Sequence, residues 1–451
     1  MLDIQFYDLY ADVDVFNGLL KANCGIRLKN QADGQISKVA FLLNRCLTVE
    51  FIKCIGRHAE FTQKLTNFKD LENVEINFIE VFFDEPLNPG DIVRLSINYN
   101  GKICDYQNVF RYVKDNVNEK FTLIRPDAYS YPIIGTLKFK ESIPQIISQR
   151  FDYKLKIKVP KEYVVANIGR LINRIGFNDK VLYIYESKLP SWRIDIAVAK
   201  FKKITDTQND LHVFVFEEDY EHAVKILNEL KKVLKFYIDW FNHPPIWTGY
   251  TIIEIPNGWG SQADLAGMLL NSKVFRDPSE ISGLYHEIAH LWYVKSGEKY
   301  VSRFFDEGLA SYFQLLAERE FFGEEHFNKR LEQLREKFIK LTEENPKLLE
   351  VPISKYGEYM LTDASYYVGA YLLYVLHNLV GDEKFKILIK SLVKTFSKDK
   401  ITLEAFKQLV TTICGEEYEV FIDEWIFHNK PAQYLKDKIP LHEIISRYKR
   451  A

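Results

Sequence analysis

The segment Gly283-Leu284-Tyr285-His286-Glu287-Ile288-Ala289-His290-Leu291-Trp292 sets two histidines four positions apart, with a glutamate directly after the first. On a helix, residues four apart share one face, one turn apart. His286 and His290 can therefore present both imidazoles to one metal ion, and HExxH spacing of this kind suits Zn²⁺. Glu287 is rotated by about 100° from His286, so it does not ligate. It can instead reach a water at the metal and accept its proton, which is the arrangement for metal-assisted hydrolysis.

A catalytic zinc needs a third protein ligand. Phe304-Phe305-Asp306-Glu307-Gly308-Leu309-Ala310-Ser311-Tyr312-Phe313 begins an amphipathic stretch, and Glu307 lies seventeen positions beyond His290 (307 − 290). Two histidines and a glutamate leave a fourth position for water. Two histidines on an apolar helix face can also be core residues, and an Asp-Glu pair is often a solvated helix start. The coupling of the two motifs favours ligation by Glu307.

These residues need elements to hold them. Asp277-Pro278-Ser279-Glu280 is a helix-start signal and Gly297 a stop, which predicts a helix of about 18 residues around the motif. Upstream, residues 219–243 carry Ala223, Ile226, Leu230, Val233, Tyr237 and Phe241 on one face, and Pro244-Pro245 ends that helix. A short strand, Thr251 to Ile255, and the loop Pro256-Asn257-Gly258-Trp259-Gly260 lie between. Trp259 in that loop is either a substrate contact or a packing anchor. From Asp277 onward most of the chain reads as helix.

Before about residue 200 the period is two. Val93, Leu95, Ile97 and Tyr99 alternate with polar residues, as do Tyr153, Leu155, Ile157 and Val159, and Ile194, Ile196 and Val198. Half-buried antiparallel strands need this pattern. The predicted organisation is α+β with two domains: a β-rich N-terminal domain over 1–205 and a mostly helical domain over 206–451, joined by a linker near Lys202 to Asp210.

Composition excludes several classes. With 60 Lys+Arg against 62 Asp+Glu in 451 residues, the chain has no electrostatic footprint for nucleic acid. The basic run Lys329 to Lys340 is interspersed with Glu332 and Glu336 and reads as a solvated helix face. No stretch approaches the ~18 apolar residues of a membrane span. The start shows no basic segment followed by an apolar core, and the five cysteines are irregularly spaced without a CxxC pair. A cytoplasmic protein with reduced, packing thiols is the expectation. His326, His377 and His428 are isolated and read as structural or surface residues.

The pair HEIAHLW … DEGLASYF resembles the HELAHQW … NEGFASY of the gluzincin aminopeptidases of peptidase family M1, the aminopeptidase N and leukotriene hydrolase group. Tyr366-Tyr367-Val368-Gly369-Ala370-Tyr371 is similar to that family's Y-x-x-G helix start, and Phe421-Ile422-Asp423-Glu424-Trp425 to its F-x-x-W segment. The resemblance implies a saddle-like antiparallel β-sandwich domain followed by a thermolysin-like, mostly helical zincin domain. It implies one catalytic Zn²⁺ on His286, His290 and Glu307, with Glu287 as general base. It implies Tyr366 as donor to the oxyanion, with Tyr367 the competing assignment, and peptides as substrates.

Three departures stand out. Sixteen residues, not the family's usual eighteen, separate HExxH from the glutamate. The family's G-x-M-E-N motif, whose glutamate grips the substrate amino terminus, is absent; Gly260-Ser261-Gln262-Ala263 is the best counterpart, so Gly260 and Gln262 are the candidate substrate-binding residues. Only 26 residues follow Trp425 (451 − 425), too few for the helical domain that covers the site in larger members, which implies a more open cleft. The expected activity is that of a zinc aminopeptidase, with an endopeptidase of the same fold or a non-catalytic scaffold as alternatives.

Overall fold

The computed structural model describes residues 2–292, 294–396 and 399–449. It divides into two compact units: Met1–Lys225 with Thr248–Arg276, and Ile226–Trp247 with Asp277–Ala451.

The first unit is built of sheets. A seven-stranded sheet runs in the order Arg170–Gly176, Lys180–Glu186, Asp152–Pro160, Leu2–Asp14, Leu19–Asn30, Ile92–Gly101, Leu47–Cys54. The period-two strands behave as expected: Val93, Leu95, Ile97 and Tyr99 are buried, as are Tyr153, Leu155, Ile157 and Val159, while their neighbours face outward. All pairs in this sheet are antiparallel except Leu2–Asp14 with Asp152–Pro160. The strand Ile196–Ala199 departs from the pattern, because both of its faces are covered. Asp195 before it is also buried, and Arg193 neutralises it through Nε at 2.6 Å and Nη2 at 2.7 Å.

The stretch Lys202–Asp206, expected as a linker, is a strand that pairs with Leu211–Val215. It is the edge of a five-stranded sheet that continues through Tyr250–Ile255, Gly267–Asn271 and Gln262–Asp264. Its polar sequence hid it, since an edge strand needs no buried alternation. The Asp206 carboxylate makes the turn, accepting from the backbone N–H of Gln208 and Asn209. This sheet belongs to the first unit, so the compact units do not divide at residue 205. The cause is packing: Phe214, Ile253, Ile255 and Leu269 share one core with Phe121, Leu123, Ala197 and Phe201. Trp259 is an anchor of that core, edge-on to Phe121 at 5.2 Å.

The expectation of five reduced thiols is corrected at two positions: Cys46 and Cys104 form a disulfide. Asn44 brings them together. Its Oδ1 accepts from both cysteine N–H groups, and its Nδ2 donates to the Cys104 carbonyl at 2.8 Å. Residues 58 apart in sequence thus reach a Cα–Cα distance of 5.8 Å, within bonding range. Cys24, Cys54 and Cys414 are free.

The second unit is helical. The amphipathic helix Tyr220–Phe241, which leads into it, buries Ala223, Ile226, Leu230, Val233, Tyr237 and Phe241, as its periodicity requires. Three more helices frame the site: Ser282–Ala289, Leu309–Phe322 and Ser365–Phe396. The last is broken at Gly381 (φ 78°). His377 beside this break is structural: Tyr312 Oη lies 2.6 Å from Nδ1, and Asp382 Oδ1 lies 2.8 Å from Nε2. Phe421 and Trp425 are fully buried. Among the described residues, no helix is long and apolar enough to cross a membrane.

Candidate metal centre

Asp277 starts the HExxH segment as expected, its side chain accepting from the Ser279 N–H. The helix is shorter than the sequence predicts. It runs as α-helix over Ser282–Ala289 and tightens into a 3₁₀ turn at His290–Trp292. Trp292 fixes the exit by donating Nε1–H to the Asn242 carbonyl at 2.8 Å. The chain then leaves as the strand Lys295–Ser296, paired with Lys400–Ile401, so Gly297 lies in an extended segment and is not the stop. The two imidazoles still share a face, with ring centroids 5.0 Å apart.

Glu307 sits in a wide turn, Phe304–Gly308, in which Arg303 O accepts from both Glu307 N–H (2.9 Å) and Gly308 N–H (3.3 Å). Such π-type turns recur at functional sites because they re-aim a side chain. Here the turn aims Glu307 back at the histidines. Glu307 Oε2 lies 3.0 Å from His286 Nε2 and 3.6 Å from His290 Nε2. One donor atom from each of His286, His290 and Glu307 falls within 4.8 Å of the other two. Two imidazoles and a carboxylate, gathered on one point and partly shielded from solvent, form a donor set that fits Zn²⁺.

Asp306 Oδ1 lies 3.0 Å from His290 Nδ1, on the far side of the ring from Nε2. A carboxylate there orients a ligating imidazole. Burial opposes charge on His290, but Asp306 and Glu307 outweigh it and lift the ring to about 9. Glu287 is half-buried beside the histidines. Loss of hydration raises its carboxyl above the usual range, against the pull of His290 and His286. That moves it toward the working range of a general base.

Of the two candidate tyrosines, the structure brings Tyr366 to this point. Its ring stacks on His286 at 5.7 Å with 14° between planes, whereas Tyr367 stands 6.5 Å from Tyr366. Burial, then Glu307, raises the Tyr366 phenol well above its ordinary value, so it stays protonated and able to donate.

Gly260 and Gln262 lie in the first unit. A Cβ on Gly260 would meet the Tyr112 side chain at 3.3 Å. Gln262 Nε2 donates to Asp127 Oδ1 at 2.9 Å, while its Oε1 is buried without a partner. Burial pushes Asp127 up, but Arg193 and Arg125 hold it at about 2. Sequence reasoning missed Asp127, Arg303 and Asp306. Asp306 was within reach as the carboxylate beside Glu307, and Arg303 as the cation three positions before Asp306 and four before Glu307; Asp127 carries no local signal.

Residues 225–425 match the peptidase family M1 domain. The chain is 22% identical over 382 residues to Aminopeptidase M1-C of Oryza sativa subsp. japonica, covering 78% of this chain and 42% of that protein. It is 23% identical over 458 residues to Probable aminopeptidase 2 of Sulfurisphaera tokodaii, covering 94% and 54%. The chain thus spans about half the length of these curated relatives. Its fold is that of a mutant M1 zinc metallopeptidase from Deinococcus radiodurans bound to a Tyr-Ser-Ala substrate, with a TM-score of 0.66, 20% identity and 94% of each chain covered. The fold, the donor set and the matched segment agree: this chain carries a peptidase family M1 domain over residues 225–425.

Proposed function

We propose that this protein is a zinc metallopeptidase that hydrolyses peptides, and that it acts as an aminopeptidase, with residues 206–451 as its catalytic domain. The observation that carries the reading is the convergence of His286, His290 and Glu307 beside Glu287. These three residues would hold one Zn²⁺, which when bound acidifies water and polarises a carbonyl. Glu287 takes the proton of the attacking water and passes it to the leaving amine. Tyr366 donates its phenolic hydrogen to the oxygen that gains negative charge as the carbonyl becomes tetrahedral.

The aminopeptidase part is supported by the relatives the chain resembles, Aminopeptidase M1-C and Probable aminopeptidase 2. A cytoplasmic location belongs to this reading, and the half-buried Cys46–Cys104 bond then has to persist against cytosolic reductants.

The test compares an aminoacyl p-nitroanilide with its N-acetylated form on the zinc-loaded protein. Hydrolysis of the free amine and not of the blocked form is expected. Cleavage of blocked peptides alone would replace the aminopeptidase with an endopeptidase.

A further inference from the structure

Arg303 precedes the turn that carries Glu307, and its backbone is left-handed (φ 67°, ψ 16°). A residue with a long side chain rarely adopts this conformation. Here its contacts hold it there. Arg303 O accepts both N–H groups of the turn, and Ser365 Oγ donates to the adjacent Ser302 carbonyl at 2.5 Å.

The guanidinium is turned onto the site. Nε and Nη2 donate to Asp306 Oδ2 at 3.2 and 2.8 Å, and Nη2 also contacts Glu307 Oε1. Its central carbon lies 5.9 Å above the Tyr366 ring. Each carboxylate is thereby divided. Asp306 gives Oδ2 to Arg303 and Oδ1 to the His290 side; Glu307 gives Oε1 to Arg303 and Oε2 to the two histidines.

We propose that Arg303 is a positioning residue of the metal centre: by occupying Glu307 Oε1 it leaves only Oε2 for the metal, and by holding Asp306 it fixes the ring of His290. The proposal rests on the metallopeptidase reading. Its chemical sense is that a glutamate ligating through both oxygens takes up a coordination position that water and substrate need. A planar fork can bridge two carboxylates; a lysine ammonium, as a point charge, cannot hold both in fixed geometry.

Co²⁺ in place of zinc tests this, since its visible absorption weakens as coordination number rises. R303M should bind one Co²⁺ per chain with visible absorptivity lowered about threefold, as Glu307 becomes free to ligate through both oxygens. R303K should lie between R303M and the wild type. With zinc, kcat of R303M should fall about tenfold or more with KM little changed. A Co²⁺ spectrum of R303M that superimposes on the wild type overturns the proposal. If R303M does not fold, a wild-type spectrum in R303K overturns it equally. Failure of the wild-type protein to bind Co²⁺ or Zn²⁺ would overturn the metallopeptidase reading and this proposal with it, whereas an unchanged spectrum overturns this proposal alone.

Discussion

Gly308 and Gly369 meet backbone to backbone: a Cβ built on Gly369 would lie 2.8 Å from the Gly308 Cα. The contact joins the turn that carries Glu307 to the first turns of the helix Ser365–Phe396, which carries Tyr366. It lets the segments of Tyr366 and Glu307 approach closely, because a side chain at Gly369 would push against the Gly308 backbone. A G369A variant is expected to lose about 1–3 kcal/mol to overpacking, partly offset by better helix propensity. Denaturant unfolding should show lower stability together with reduced kcat. A variant more stable than the wild type would mean the contact is loose.

The position of Tyr366 against His286 separates it from its neighbour. Removing an oxyanion donor costs about 10²–10³ in kcat. Y366F should lose turnover on that scale with little change in KM, and Y367F should keep nearly wild-type turnover. Steady-state kinetics of the two variants decide the assignment, and the reverse order would transfer the role to Tyr367.

Glu254 provides the pH test away from the metal. It is fully buried, its Oε2 accepts from the Phe216 N–H at 2.7 Å, and burial together with the hydrogen bond it shares with Asp219 raises it to about 9. Asp219 in turn is clamped by Arg276. A raised folded-state pKa means that its contribution is fully present below about pH 4.5 and lost as pH climbs toward 9. E254Q copies the protonated form without that loss. Its stability relative to wild type should grow by about 1.4 kcal/mol per pH unit across pH 5–9. Parallel pH profiles of unfolding free energy for the two proteins would show that Glu254 is not protonated in the fold.

The Cys46–Cys104 bond closes a loop between residues 58 apart. Removing such a link typically costs about 2–4 kcal/mol. Denatured but unreduced protein should show three free thiols by thiol titration, those of Cys24, Cys54 and Cys414. Reduction should lower the unfolding midpoint accordingly. Five free thiols before reduction would contradict the bond.

What the sequence made legible follows a physical line. HExxH and Glu307 announce themselves through local spacing, because helix periodicity sets residues four apart on a shared face. The alternating strands around Leu95 and Ile157 are legible for the same reason. Tyr366 was legible only through the resemblance of its Y-x-x-G segment to that of the family. The edge strand Lys202–Asp206 was not, since it buries nothing on its own. The Cys46–Cys104 pairing depends on turns and tertiary approach that no periodicity encodes, whereas the Arg303–Glu307 contact is a local pair four residues apart whose geometry comes from the turn. The hold of Gln262 on Asp127, 135 positions away, was as hidden as the disulfide.

The central claim is that Glu287 moves the proton in a hydrolysis supported by a metal on His286, His290 and Glu307. The most direct measurement is zinc content and peptide hydrolysis of wild type and E287Q, side by side. The account predicts one zinc per chain in both proteins and a loss of kcat in E287Q of about 10²–10⁴-fold, the usual worth of a general base. Unchanged hydrolysis in E287Q, or a fully active wild type free of zinc, would contradict it.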